Sequence, residues 1–483
     1  MPSLSVAPSH LHPDSAMLIQ RLVGFIALVL VLAGCANERR HFDGNVLVLQ
    51  SVTVIDATER GPQPDQTVVV QDGRIVAIGG VGDFAFGTEA EILDLAGRFL
   101  VPGFIDMHAH VTILPGEDGQ LIPHYDRAAS EQVLRTLLAF GVTTVRNAAA
   151  PTEDGVALRE AVARGEVPGP RIFTAGTILD RGTRPFGPFV ATPTEEAVRE
   201  EIQRQAAAGV DFIKTYAGMP PDLIEAAVNE AHAHGLPVIG HMQRTSWTEA
   251  ARLGIDAVTH GAPWTPSYLS EDDRASYRPT MQGRIYWLEH LDLDGPQIEE
   301  MLTVLAENNV TIDPTLIAYH TKFWGDDARY LNHPEHHHAP AMILDGWRKG
   351  SFVSDWTEDD FARAKAAWPK VLGLTKRLFD RGILLTAGSD LPNPWVIPGV
   401  SFHEELQLLT DAGIPPFDVL RIATVNGATA LGIDDEIGTV EVGKRADLVV
   451  LAANPLEDIG NTRSIEWVLQ GGTMIKPDAM LAD

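Results

Sequence analysis

The chain has 483 residues, 45% hydrophobic and 21% charged, a globular composition with enough apolar material for a large core and a satellite unit, which excludes disorder over most of its length. A formal net charge of -28 excludes nucleic acid and anionic membrane surfaces as electrostatic partners, because a polyanion is repelled rather than gathered. Small molecules or short peptides are the expected substrates.

Residues 1–35 differ from the rest of the chain. MLIQRLVGFIALVLVLAGC, Met17 to Cys35, carries one cation, Arg21, then a short apolar run ending in small residues. That is the tripartite form of an export signal, too short for a comfortable membrane span. LAGC at Leu32 to Cys35 also resembles the lipobox of a bacterial lipoprotein signal. The resemblance implies cleavage before Cys35, acylation of its thiol, and a lipid-anchored protein on the periplasmic face of the cell envelope, at the outer membrane. An uncleaved anchor helix with an incidental cysteine is the competing reading. Cys35 is the sole cysteine, so no internal disulfide forms. Met17 is an alternative start, which leaves His10 and His12 outside the functional protein.

Residues 36–100 read as short β runs: NVLVLQSVTVID, then TVVVQDGRIVAIG with Asp72-Gly73 as a hairpin turn, then EILDLAGRFLVPG. From Val101 to Leu431 apolar strands alternate with helical segments such as Glu195 to Ala208, the pattern of βα units around a parallel sheet. Eight candidate strands occur in order: FIDMHAH, VTTVRN, RIFTAG, DFIKTY, PVIGH, DAVTH, VTIDPTL and ILLTAGSD. They predict an α/β fold, a (β/α)8 TIM barrel with insertions. Over 432–483 the β texture returns in IGTVEVGKRADLVVLAANP and SIEWVLQGG. The N- and C-terminal segments are therefore expected to form one small β-sheet domain. Residues 262–300 and 320–370 fit no regular unit, are rich in Trp and His, and come after strands six and seven, so they are expected to act as lids or pocket walls.

The C-terminal ends of barrel strands are where this architecture places chemistry. Reading only those ends gives His108, His110, Lys214, His241, His260 and Asp390. Side chains alternate along a strand, so His108 and His110 project to one side and are able to grip one ion. Imidazole nitrogen and carboxylate oxygen suit zinc or a similar divalent metal. A lone histidine ending a strand is more often a hydrogen-bonded rim residue, but four histidines and one aspartate at the ends of four strands favour the metal. Lys214 has two readings. A neutral amine of depressed pKa is able to take up carbon dioxide and become an anionic carbamate ligand; otherwise the lysine pairs with an acid, Asp211 or Asp390.

LVPGFIDMHAH, GVTTVRN, GVDFIKTY, GLPVIGH, DAVTHG, LLTAGSD, IATVNGATALGI and IGTVEVGKRADLVVL, in this order, resemble the amidohydrolase superfamily, in particular its secreted members related to imidazolonepropionase and to metal-dependent Xaa-Pro dipeptidases. The resemblance implies two zinc ions. His108 and His110 would bind the first with Asp390, His241 and His260 the second, and carboxylated Lys214 would bridge them. A hydroxide held between the ions would be the nucleophile, with Asp390 as general base and then general acid. Tyr216, on the strand face of Lys214, would donate to the developing oxyanion or else simply pack at the barrel mouth.

Two departures from the family pattern bear on substrate. Many relatives have Asp where this chain has Asn147, and the Gly-Gly-His segment that dipeptidase-like relatives carry after strand three is missing from TAGTILDRGTRPFGPF. Arg181 or Arg184 is expected to meet a substrate carboxylate in its place, solvated loop arginines being the alternative. His403 is a third candidate for substrate contact, or else packs the final helix. The run HPEHHHAP, His333 to Pro340, is read as an exposed polar loop, and Trp264, Trp324, Trp356 and Trp395 as pocket walls or packing.

The function expected is hydrolysis of an amide C–N bond in a dipeptide or N-acyl amino acid by a lipid-anchored metallohydrolase, with an oligomer possible. The alternatives are an imidazolonepropionase-like cyclic amide hydrolase or deaminase with one metal, a lactone or phosphotriester hydrolase, and a lipoprotein that binds a ligand without catalysis.

Overall fold

The computed structural model describes residues 39–58, 60–115, 121–122, 125–184 and 187–481; the export segment with His10, His12 and Cys35 lies outside the described residues. Strands from both ends of the chain share one eight-stranded mixed sheet. Leu47–Val54 pairs antiparallel with Gln63–Gln71 and parallel with Phe99–Pro102, which in turn pairs antiparallel with Leu448–Leu451. The Asp72-Gly73 turn forms as the sequence suggests: Gln71 pairs with Arg74, and both turn residues take positive φ, 49° and 77°. Alternation buries one face of this sheet, including Leu49, Val52, Val68, Ile75, Leu448 and Leu469, in a core of its own.

Between these ends lies an α/β region of parallel strands. Phe104–Ala109, Val142–Asn147 and Arg171–Thr174 form one parallel sheet. Ile178–Asp180, Ile213–Thr215, Val238–Gly240, Ala257–Thr259 and Thr311–Asp313 belong to a second, whose edge strand is Phe189–Ala191. Ile105, Val145, Ile213, Val238, Val258 and Ile312 are all fully buried, because the helices that come after the strands cover them. The strand entering the first sheet passes so close to its neighbour that a Cβ on Gly103 would meet Thr143 Oγ1 at 2.1 Å. Local signals fix the helices. Glu195–Ala208 starts at Thr194, whose side chain accepts from the Ala197 amide, and stops at Gly209 with φ 86°.

The expected eighth strand is not regular. ILLTAGSD makes single parallel bridges, Leu385 to Ile312 and, just beyond, Leu391 to Ala109. Its backbone still bonds both neighbours, with Thr386 N to Ile312 O at 2.9 Å and Met107 N to Ala387 O at 2.7 Å. At its end Asp390, at φ 57°, turns the chain out of the extended region. The arrangement is TIM-barrel-like, but its regular strands fall into two parallel sheets rather than one closed ring. The insertions also differ from expectation in being largely helical: Met281–His290 and Leu316–Phe323 are α-helices, and every residue of the second is buried. Among the described residues, no helix is long and apolar enough to cross a membrane.

Candidate active site

His108, His110, Lys214, Tyr216, His241, His260 and Asp390 all line one cavity of about 310 Å³ at the C-terminal ends of the parallel strands. Strand alternation puts His108 and His110 on the same side, with ring centres 5.2 Å apart. His108 Nε2 lies 3.4 Å, and His110 Nε2 3.3 Å, from one oxygen of Asp390, Oδ1. Ligands about 2.1 Å from a tetrahedral divalent ion stand roughly 3.4 Å from one another, so these three donors fit a single ion. Across the cavity, His260 Nε2 faces His241 Nδ1 at 2.7 Å, and His260 Nδ1 bonds Thr315 Oγ1 at 2.8 Å. Among the described residues the one group of three or more acidic, His or Cys side chains close enough to share a metal is His108, His110 and Asp390.

Backbone conformation marks the same place. His260, Thr315 and Asp390 take φ values of 80°, 46° and 57°, left-handed conformations that L-residues adopt at a cost and that cluster at functional sites. Gly388 makes the approach of the eighth segment possible, since a Cβ there would lie 2.7 Å from the His108 Cβ.

Burial sets the protonation states. It pushes His108, His241 and His260 well below the ordinary histidine pKa, so all three present neutral imidazoles with lone pairs ready for a metal. Burial acts to raise Asp390, but the neighbouring His108 and His110, with Lys322, outweigh it and hold the carboxyl below its ordinary value. Lys214 is pushed down to about 8 by burial, which with the Arg146 charge outweighs the opposing pull of the Asp313 and Asp390 carboxylates. Among the described residues its one hydrogen bond, to Thr259 Oγ1, is 3.5 Å long. Neither acid weighed as its partner is paired with it: Asp211 binds Arg159 at 2.9 Å, and Asp390 faces the histidines. Tyr216 is pushed up to about 12 by burial and packs its ring 4.6 Å from that of His241.

Residues behind the cavity fix the donors. Asp313 bonds His108 Nδ1 through one oxygen and Arg146 Nη2, at 2.9 Å, through the other. This orients the ring so that Nε2 points at Asp390. Asp106 accepts from the His108 amide at 3.0 Å and from Ser389 Oγ at 2.6 Å, tying the first strand to the eighth segment. The rule of reading strand ends, applied to TIDPTL, would have picked out Asp313 too. Asn147 loses no contact for want of a carboxylate: its Oδ1 accepts from Val111 N at 3.0 Å, and its Nδ2 donates to Thr112 and Thr174.

The three residues expected to meet substrate are placed differently from one another. Arg184 lines the cavity, but its guanidinium pairs with Asp180 at 2.6 Å and lies 5.3 Å from the Tyr216 ring centre, so its charge is already balanced. Arg181 is exposed and outside the cavity lining. His403 is buried outside the cavity lining, its ring nitrogens bonded to Thr462 Oγ1 at 2.9 Å and Phe140 O at 3.0 Å, the packed arrangement that was its alternative. The histidine run lies apart from the cavity, with His336–His338 in a short 3-10 turn. None of the four tryptophans lines the cavity: Trp264 packs on Trp287, Trp324 stacks on His320, Trp356 lies against Phe361, and Trp395 against Trp347.

The sequence pattern of the Amidohydrolase family matches residues 99–271 and 368–475, more than half of the chain. Over 406 residues the chain is 23% identical to the imidazolonepropionase of Symbiobacterium thermophilum, covering 80% of this chain and 84% of that protein. In fold it is similar to a crystal structure of a prolidase complexed with N-methylphosphonate-L-proline, with TM-score 0.67, 24% identity, and coverage of 89% of this chain and 99% of that one. It is likewise similar to a Xaa-Pro dipeptidase with bound methionine in the active site, with TM-score 0.66, 20% identity, and coverage of 89% and 100%.

Proposed function

The chain belongs to the amidohydrolase family and is a hydrolase acting on carbon–nitrogen bonds, and from that premise we propose that it cleaves the amide of a small substrate, a dipeptide or an N-acyl amino acid. The reading is carried by the convergence of His108, His110 and Asp390 at separations that suit one tetrahedral ion. In this reading these three would hold one divalent ion, zinc by the chemistry of the donors, and His241 and His260 would hold a second. Lys214 would be a further ligand as a carbamate, formed when its neutral amine adds carbon dioxide and releases a proton. Its burial and its low pKa support this, as does the absence among the described residues of an ion pair to Asp313 or Asp390, the two carboxylates that act on it from farther away. Bound metal supplies a Lewis acid and an activated water.

The chain's own residues do the rest. Asp390, held ionised, takes a proton and returns it to the leaving nitrogen. Tyr216 stays protonated through the neutral range and donates to the carbonyl oxygen as negative charge grows there. A cavity of about 310 Å³ suits a substrate of one or two residues. We read the eight βα segments of 101–431 as the repeats of a (β/α)8 barrel whose eighth strand is irregular, with 36–100 and 432–483 as the joint β-sheet domain. The lipobox at Leu32 to Cys35 supports export and a lipid anchor, which intact-mass analysis of the mature N-terminus tests.

A library of dipeptides and N-acyl amino acids, offered to metal-replete protein with Asp390→Asn as control, tests the chemistry. Turnover by the wild type and a loss of about 10²- to 10⁴-fold in the variant is expected. Equal turnover would sink the role of Asp390, and hydrolysis of lactones alone would overturn the substrate class. One observation favours a second reading, a mononuclear cyclic amide hydrolase: a single three-donor group is present among the described residues. Two metals per chain by elemental analysis exclude it, and one metal selects it.

A further inference from the structure

Two cations line the cavity with no ion pair among the described residues; Asp390 acts on one of them, Lys322, from beyond contact distance, and its own contacts are with His108 and His110. Lys322, on the helix Leu316–Phe323, is 6% exposed, and among the described residues its ammonium has neither a hydrogen bond nor an ion pair. What surrounds it is aromatic: Nζ lies 5.0 Å from the ring centre of Tyr319 and 5.5 Å from that of Phe352. Ring faces attract a cation, but they offer its three N–H groups no oxygen or nitrogen acceptor. Arg284, half-buried on the helix Met281–His290, lies 5.3 Å from the ring centres of both Trp264 and Tyr319. One of its N–H groups donates to the Tyr319 hydroxyl at 3.2 Å, and no carboxylate faces it. Arg184, in the same cavity, is by contrast neutralised by Asp180.

A buried charge without a partner is costly, and the chain had acids to spare, carrying 65 Asp and Glu against 37 Lys and Arg. Among the described residues none of them is in ion-pair contact with Lys322 or Arg284, and Asp390, the acid that acts on Lys322 at longer range, is already shared by His108 and His110. Burial lowers Lys322 only to about 8, so at neutral pH the ammonium is still charged. Tyr319 stands between the two cations and also reaches the metal-site histidines, its ring centre 5.6 Å from that of His260.

We infer that Lys322 and Arg284 together bind a carboxylate of the substrate beside the Tyr319 ring, within a ring's width of the bond that is cut. This rests on the amide hydrolysis proposed above and narrows it. The substrate class is an N-acyl amino acid or a peptide whose free carboxylate lies a few bonds from the scissile amide. Neutral amides, lactones and cyclic amides without an acid lack the group that these two cations need. The expectation of a carboxylate-binding arginine in the segment after strand three moves to the two inserted helices, which supply Arg284 and Lys322.

Matched pairs test this: a panel of N-acetyl and N-benzoyl amino acids and the same compounds as carboxamides, each assayed on the metal-replete full chain. Wild type is expected to favour the acids, and Lys322→Met to lose about 100-fold in kcat/KM on the acids, mostly through KM, and much less on the carboxamides. The acid-to-carboxamide ratio should collapse further in Arg284→Gln/Lys322→Met and recover in part in Lys322→Arg. Equal rates on acids and carboxamides in wild type would overturn the anion site while leaving amide hydrolysis standing. Where no amide at all is turned over, the hydrolytic reading fails, and calorimetric titration of the same pairs still decides the anion site. Tighter binding of acids that Lys322→Met abolishes upholds it, and equal binding overturns it. Circular dichroism melts confirm that each variant is folded.

Discussion

Nδ1 of His108, at the end of the first parallel strand, is bonded to the carboxylate of Asp313 at the end of Thr311–Asp313, and the other oxygen of that carboxylate is held by Arg146 at 2.9 Å. A ligand histidine whose remote nitrogen is fixed in this way has one tautomer and one ring orientation.

Asp313→Asn is therefore expected to weaken metal binding about 10- to 100-fold with little change in fold. Competition against a chromophoric chelator reads the affinity directly and needs no substrate. Unchanged affinity would show that His108 is oriented by the strand alone.

Gly388→Ala probes the approach of the eighth segment. The added methyl would lie 2.7 Å from the His108 Cβ and 3.0 Å from its backbone nitrogen, and backbone is unable to yield as a flexible side chain does. A loss of about 1–3 kcal/mol in denaturant unfolding is expected, with a fall in bound metal. A variant as stable as wild type, with full metal content, would contradict the packing described.

His403 gives a dependence on acid. Burial lowers its pKa to about 4 from an ordinary 6.5, so the fold binds the neutral ring and the unfolded chain takes the proton. The stabilisation is complete above pH 6.5 and is lost as pH falls toward 4, by about 3 kcal/mol over the window. Urea titrations of wild type and His403→Gln across that range should converge on acidification; parallel curves would rule the effect out.

Glu405 acts in the opposite sense. It is fully buried, Oε2 accepts from the Ile317 amide at 2.7 Å, and Oε1 has no partner among the described residues. Burial raises its pKa to about 8, so the carboxyl is protonated in the fold at neutral pH. Its contribution is fully present below the ordinary value of 4.5 and is lost as pH rises through 8. Glu405→Gln, which cannot ionise, is expected to gain on wild type steadily between those limits, by a few kcal/mol in all. A constant difference in unfolding free energy would refute the assignment.

The parts of the site that sit at strand ends were legible, because period-two alternation and the position of polar residues after an apolar run are local signals. His108, His110, Lys214, His241, His260 and Asp390 meet in one cavity for that reason. Asp313 obeys the same signal and was passed over. Lys322 and Arg284 carry no such signal. Each sits on a helix inside an insertion, and only tertiary packing turns these positions toward the cavity. The two readings of His403 stay open in the sequence for the same reason, since its place in VSFHEELQLL does not reveal that Phe140 and Thr462 bond it. Nor is the positive φ of Asp390, at the end of the irregular eighth strand, visible in ILLTAGSD.

That torsion has an evolutionary corollary. His260 and Asp390 are held in their left-handed turns by neighbours from distant parts of the sequence, at Asp313 and Thr315 for one and at His108 for the other. Transplanting THG or GSD into another protein would carry the letters and leave the bend behind. A descendant that lost this chemistry would regain it more readily by reverting the side chains on this scaffold than a stranger would by acquiring the motif.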